Sequence, residues 1–275
     1  MISVVILTFN EEINIDRCLN SVKWSDDVLL MDSGSIDKTV EIGEKHGARV
    51  LTRKFDTFAN QRNFAMENGE FRHHWVLHLD ADEVVTDELR DEILALVIGG
   101  NDKFPVYRVP SRIIFMNTWL KHAGMYPSYQ VRFGRARELR FIDYGHGQRE
   151  IQSADLVGTL AAPLDHYNFS KGINDWFSRH LRYAKAEAEQ HRAEHQVSIE
   201  CNQFVSRNST ERRRALKKIA HFMPFRPVLR FFYVYVFRAG FLDGRAGFHY
   251  ALMMTIYQYF IDVNKSEIRV EREGK

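Results

Sequence analysis

The stretch HWVLHLDADEVV, His74 to Val85, ends an apolar run with three acids. Trp75 to Leu79 reads as a buried strand, and Asp80, Asp82 and Glu83 stand at its mouth. Like charges raise one another's pKa, so gathering carboxylates there costs free energy. A shared cation removes that cost. The alternative is that the acids cap the next helix and face water. A divalent cation such as Mg²⁺ or Mn²⁺ suits the first reading, because it takes oxygen ligands, one or two carboxylates and the phosphates of a substrate. Asp80 and Asp82, two apart on an extended segment, can reach a ribose and a metal respectively. Glu83 reads as a helix-start acid favoured by the dipole rather than a ligand.

The elements that must hold these acids alternate along the first hundred residues. SVVILTF, DVLLMD, ARVLTR and WVLHL have strand length, and continuous apolar runs of this kind fit parallel strands buried on both faces. Helical spacing follows each one. Asn10, Ser35 and Thr86 are expected as N-caps, and Gly47 as a helix stop. This order predicts an α/β fold with a mostly parallel sheet and helices on both faces. Ligands bind such sheets at the carboxyl ends of the strands. Thr8 to Glu12, Asp32 to Asp37 and Asp80 to Glu83 all fall at that rim. Asp37 and Thr39 read as first-turn helix residues. After Gly100 the pattern turns to antiparallel strands with Arg-rich edges, and from about Lys171 to helices. The expected division is 1–165 as the nucleotide-binding catalytic domain and 166–275 as a helical C-terminal region.

Composition bounds the class. The chain has 275 residues, 45% hydrophobic and 27% charged, which is a folded globular class with room for one large α/β domain and a helical annex. A net charge of +2 points to no particular partner. Cys18 and Cys201 are far apart and suggest a reducing compartment. The N-terminus MISVVILTFN lacks a basic start and its apolar run is short for a signal peptide; no apolar run is long enough to span a membrane. The expected location is cytoplasmic, peripheral on the inner face of the cell membrane.

The loop after the first strand, TFNEE, has no glycine, so neither the GxGxxG nor the GxxxxGK[ST] signature is present. What remains is a diphosphate held through a divalent cation. VVILTFNEE, LLMDSGSIDKT, QRNFA and LHLDADE, in that order and spacing, resemble family 2 glycosyltransferases of the GT-A (Rossmann-like) fold. YPSYQVRFGR, GHGQRE, PLDHYNF and FRAGFLDGRAGFHYA are similar to the bacterial branch that builds lipopolysaccharide core and exopolysaccharide. The resemblance implies roles. Thr8, Phe9 and Glu12 match the loop lining the nucleotide pocket, with Phe9 where the family typically has Tyr. Asp32 matches the acid that accepts a hydrogen bond from the uracil N3–H. Arg62 matches a basic residue facing the diphosphate; its alternative is a pair with Glu67 on its own helix. Asp80 and Asp82 match the DXD pair, with Asp82 as the direct metal ligand.

Inverting glycosyl transfer is one in-line displacement. A base must take the acceptor's proton. Asp143, Glu150, Asp165 and His166 are the candidates, and the related branch favours Glu150; a strand-end pairing with Arg149 or Arg140 is the alternative. His166 is a candidate metal ligand or diphosphate contact, and His146 a weaker one. Residues 205–240 form a second feature, with Arg212, Arg213, Arg214, Lys217, Lys218, Arg226, Arg230 and Arg238 against the single acid Glu211, and dense aromatics from Phe231 to Phe237. This suits an anionic membrane surface and a lipid-linked or polysaccharide acceptor. Nucleic acid is not expected, because the aromatics are denser than a phosphate-tracking groove needs. Oligomeric state stays open. Two rival functions remain. A nucleotidyltransferase would want a basic Gly-rich loop where TFNEE stands. A non-catalytic sugar-nucleotide or membrane-surface binder would not need the acids and a base.

Overall fold

The computed structural model describes residues 1–100, 102–144, 147–194 and 225–273. His146, Cys201 and the basic run Arg212–Lys218 lie outside the described residues. Strand β1 (Ser3–Thr8) runs parallel to β2 (Val28–Asp32) on one side and β4 (Trp75–Asp80) on the other, with β3 (Arg49–Thr52) beyond β2. Alternation sorts their apolar side chains onto two faces. Val4, Ile6, Leu77 and Leu79 pack with α1 (Ile15–Ser21) and α4 (Asp87–Ile98). Val5, Leu29, Met31 and Val76 pack with α3 (Phe58–Asn68). Each fully buried Val, Leu or Ile contributes roughly 1.5–3 kcal/mol, so both faces supply driving force. Ile42 of α2 (Thr39–Lys45) joins the first face. Helices therefore cover both faces, as expected.

Beyond β4 the sheet becomes mixed. Its spatial order is β3–β2–β1–β4, then β8 (Ser128–Arg135), β6 (Val106–Phe115), β12 (Leu164–His166) and β5 (Glu83–Val85). Strand β8 is antiparallel to β4 and to β6. Strand β12 is parallel to β6 and antiparallel to β5. Residue 165 thus lies inside a strand of the main sheet. Short β7 (Thr118–Trp119) and β11 (Val157–Thr159) also pair with β6. A separate ribbon, β9 (Phe141–Tyr144) and β10 (Gly147–Glu150), stands against α3.

The C-terminal region holds α5 (Ile173–Glu194), α6 (Arg226–Phe232), a π-helical turn (Tyr233–Phe237), a 3-10 turn (Gly240–Asp243) and α7 (Gly244–Glu273). Trp176, Ala246 and Met253 bury Phe115 and Leu120 at the end of β6 and just past β7. The Asp243 carboxylate accepts the backbone N–H groups of His122 (3.0 Å) and Ala123 (2.7 Å), fixing the helical region to the sheet.

Two expected caps are corrected. Asn10 and Ser35 do not start helices; α1 begins only at Ile15 and α2 at Thr39. Their side chains join two loops instead. Asn10 N–H donates to Ser35 Oγ, and Ile36 N–H donates to Asn10 Oδ1, each at 2.9 Å. Thr39 opens α2, with Asp37 accepting from its N–H. Thr86 caps α4 as expected, accepting from Leu89 N–H at 3.1 Å, and Gly47 follows α2 at φ +78°.

Candidate active site

Parallel register puts the polar rim together. Thr8 is level with Asp32, and Leu7 with Asp80. The loop after β1 and the loop after β2 are then stitched by the Asn10 and Ser35 bonds above and by Glu11 N–H to Thr39 Oγ1 (2.7 Å). Asp32 is buried, and its carboxylate accepts from Thr8 Oγ1 (2.9 Å), Gly34 N–H (2.9 Å), Ser35 N–H (2.8 Å) and Ser35 Oγ (2.6 Å). Gly34 reaches it at φ +91°, a conformation glycine adopts without steric cost. A carboxylate has about four acceptor positions, and this loop fills them. Phe9 leaves its ring 55% exposed on the rim, available for stacking. Glu12 lies at the outer edge, where its carboxylate accepts from Lys38 N–H at 3.2 Å.

The acids after β4 separate into two pairings. Strand alternation turns Asp80 to the α3 face, where Arg62 Nη2 meets it at 2.6 Å; Arg132 Nη2, from β8, meets its other oxygen at 2.5 Å. Arg62 therefore pairs across to the sheet and not with Glu67. Burial would raise the Asp80 carboxyl, but the charges of Arg132 and Arg62 outweigh it and hold it well below the usual carboxylate range. Burial draws the Arg62 guanidinium down to about 10, with Arg132 adding repulsion. Glu83 is not a helix-start acid: it is buried in β5, accepts from Arg132 Nη2 (2.6 Å) and from Asp80 N–H (2.9 Å). Burial, opposed by Arg132, leaves its pKa raised.

Asp82 has a different partner. Its Oδ2 lies 3.3 Å from His166 Nε2 of β12, and its carbonyl accepts from Tyr167 N–H at 2.8 Å. Burial works against both charges. The pair overcomes it, lowering the Asp82 carboxyl and raising His166 to about 9. Among the described residues no three His, Cys, Asp or Glu side chains form a group that could hold a metal by themselves. Asp82 and His166 provide two donors, which fits a divalent cation that completes its shell from substrate phosphates and water. Histidine would have to shed its proton to serve as a ligand.

Glu150 ends β10 opposite Phe141. Asn63 of α3 clamps the Phe141 backbone, donating to its carbonyl (2.8 Å) and accepting its N–H (2.9 Å), and Arg62 lies 5.6 Å over the Phe141 ring. The ribbon carrying Glu150 is thereby tied to the helix carrying Arg62. Of the alternatives, Asp165 is engaged by Arg112 Nε at 2.6 Å, and Arg140 donates to the carbonyls of Ala136 and Leu139 rather than to Glu150. Sequence reasoning missed Arg132 and Lys171. Lys171 Nζ pairs with Glu11 at 2.6 Å, drawing the segment after β12 to the loop after β1, and Arg17 stacks on Tyr167 at 3.7 Å beside it. An arginine flanked by the apolar Val131 and Phe133 within β8 was the available signal.

Residues 3–155 match the sequence model of glycosyl transferase family 2. The chain belongs to that family, and its mixed α/β sheet carries a C-terminal helical region. A Rickettsia bellii protein named as a glycosyltransferase is 38% identical over 177 residues, covering 61% of this chain and 60% of the relative. LpsC of Rhizobium meliloti, named as a lipopolysaccharide core biosynthesis glycosyltransferase, is 28% identical over 155 residues, 54% of this chain and 53% of its own length. The matches thus span little more than half the length of these relatives. Among solved structures, glucosyl-3-phosphoglycerate synthase from Mycobacterium tuberculosis with Mn²⁺, UDP and glucosyl-3-phosphoglycerate is 16% identical, with a TM-score of 0.47 over 68% of this chain and 77% of the other. Staphylococcus aureus TarS 1–349 in complex with UDP-GlcNAc gives 16% and 0.44, over 100% and 92%. At these scores neither speaks to the substrates of this chain.

Proposed function

We propose that this chain is an inverting, metal-dependent glycosyltransferase that moves a sugar from a nucleotide-diphosphate donor, a UDP-sugar, to a lipid-linked glycan or polysaccharide acceptor of the cell envelope. The reading places the work at the cytoplasmic side of the membrane. The observation that carries it is the division of labour between Asp80 and Asp82. One acid is neutralised by two buried arginines, and the other faces a histidine at the open rim.

The residues supply the following chemistry. Phe9 stacks on the base. Asp32 receives its N3–H once one of its two hydroxyl donors, Thr8 or Ser35, turns away; both rotate without moving the backbone, unlike the Gly34 and Ser35 N–H groups. Asp80, held by Arg62 and Arg132, positions the ribose. Arg62 and Arg132 are buried behind Asp80, and their two positive charges favour a diphosphate at the rim through the field rather than by contact. Asp82 and His166 would hold the divalent cation, which when bound stabilises the charge growing on the leaving diphosphate. Glu150 takes the proton of the acceptor hydroxyl as its oxygen bonds to the anomeric carbon and the diphosphate leaves from the opposite side. The clamp of Asn63 on Phe141 keeps that carboxylate in register with Arg62.

The test is thermal unfolding with a panel of nucleotide diphosphates and nucleotide sugars, with and without Mn²⁺. A ligand at about 100 times its dissociation constant adds roughly 2.7 kcal/mol. UDP is expected to stabilise the native chain in a Mn²⁺-dependent way and to fail with Asp82→Ala. Equal stabilisation of both proteins would remove Asp82 from the metal site, and no stabilisation by any nucleotide would end the transferase reading.

A further inference from the structure

The C-terminal helices turn their apolar side outward. Along α6 and the π-helical turn, Phe225, Val228, Leu229, Phe232, Val236 and Phe237 are all exposed, Phe237 to 81%. Their spacing of three and four residues defines one stripe of the helix surface. The opposite stripe is already satisfied: Phe231, Val234 and Tyr235 pack against Ala123, Tyr250 and Ala251. Beyond the chain reversal Phe241 and Leu242 of the 3-10 turn and Leu252 of α7 are also exposed, while Phe248, part-exposed, packs edge-on to Phe231 and Tyr235. So large a run of exposed aromatic and aliphatic side chains marks an interaction site rather than scattered surface residues.

Charge selects the occupant. From Phe225 to Phe248 the chain carries Arg226, Arg230, Arg238 and Arg245 and one acid, Asp243. That acid is buried and spent on the N–H groups of His122 and Ala123. Within the segment no acid is left on the stripe; Arg226 is drawn to Asp262 of α7 at 3.7 Å, and Arg230, Arg238 and Arg245 flank the stripe with positive charge. Arg245 is exposed; Arg230 and Arg238 lie half-buried, and among the described residues their contacts are long, Arg230 to Met125 Sδ at 3.7 Å and over the Tyr233 ring at 6.0 Å, Arg238 to the Tyr126 carbonyl at 3.5 Å. No helix among the described residues is long and apolar enough to cross a membrane. We infer that this face docks on an anionic phospholipid bilayer, with the aromatic stripe seated at the headgroup–acyl boundary and the arginines reaching lipid phosphates. A surface helix with an apolar stripe and basic flanks lies in the interface plane, and each basic residue adds attraction to anionic lipid. The inference extends the proposed transferase by giving its acceptor a location, but vesicle binding is read with neither donor nor acceptor present, so either reading can fail alone.

The experiment is flotation of the full chain with phosphatidylglycerol–phosphatidylcholine vesicles and with pure phosphatidylcholine vesicles. A triple variant, Phe232→Ser, Phe237→Ser and Phe241→Ser, is compared at matched thermal stability. Since all three rings are exposed, the variant is expected to fold and to keep its response to UDP. The native chain should float with anionic vesicles and partition about tenfold or more less onto neutral ones; the variant should lose about tenfold or more of its anionic partition. Failure to float with either vesicle overturns the proposal. So does flotation that ignores lipid charge or the three substitutions. A native dimer that the triple variant converts to a monomer, without vesicle binding, would assign the face to a second copy of the chain.

Discussion

His78 and His166 sit on neighbouring parts of the same site and titrate in opposite senses. His78 is buried, with Nε2 3.0 Å from Met66 Sδ and its ring edge-on to Phe141 at 5.3 Å. Burial, then the charges of Arg62 and Arg132, push its pKa well below the ordinary 6.5. It stays neutral in the folded chain while the unfolded chain protonates. Its contribution is fully present above pH 6.5 and is lost as the pH falls below that value. His166 is raised to about 9 despite burial, because Asp82 favours the imidazolium. Its contribution is fully present below pH 6.5 and is lost as the pH rises through about 9. With a chelator present, His166→Asn should flatten the alkaline limb between these values by about 1–3 kcal/mol and spare the acid limb. Urea midpoints across pH decide it; an unchanged alkaline slope would mean that the Asp82–His166 contact is not an ion pair in solution.

At the level of elements, the acids are placed by segments of different legibility. Strands β1, β2 and β4 announce themselves as apolar runs, and parallel pairing then forces Thr8, Asp32 and Asp80 onto one rim. Nothing local announces that β8 pairs antiparallel with β4 or that β12 enters beside β5, and those two strands bring Arg132 and His166. Long-range pairing, unlike periodicity, leaves no imprint within a short window of sequence. The same holds for Asn10 and Ser35. Both are good capping residues by type, yet their side chains satisfy each other's loop backbones before any helix begins. Thr86 shows where type and place agree. Its Oγ accepts from Leu89 N–H and donates to the Pro163 carbonyl at 2.9 Å, so one side chain starts α4 and fastens the segment entering β12. Thr86→Ala is expected to cost about 1–2 kcal/mol by denaturant unfolding, and Thr86→Ser to restore most of it. Equal losses in both variants would point to the methyl group instead.

On the scale of the whole molecule, the helical region completes the core of the sheet. Trp176 of α5 is buried, stacked on Phe169 at 5.6 Å and on His180 at 3.5 Å. Phe169 in turn lies 4.2 Å from Phe115 at the end of β6. This chain of rings begins in the segment that follows His166 and Tyr167, so packing of α5 bears directly on the backbone that presents His166 to Asp82. Residues after 165 are therefore joined to the site by structure as well as sequence, and a division there separates His166 from its support. Trp176→Ala removes the centre of this cluster. It should lower stability by about 3–5 kcal/mol, the range for a large aromatic in a core. It should also weaken Mn²⁺-dependent stabilisation by UDP, although Trp176 is placed in no ligand contact. Trp176→Phe should recover most of both effects. Loss of stability with fully native UDP response would show that the sheet holds His166 without help, and that the helical region is a separately folding layer laid over it.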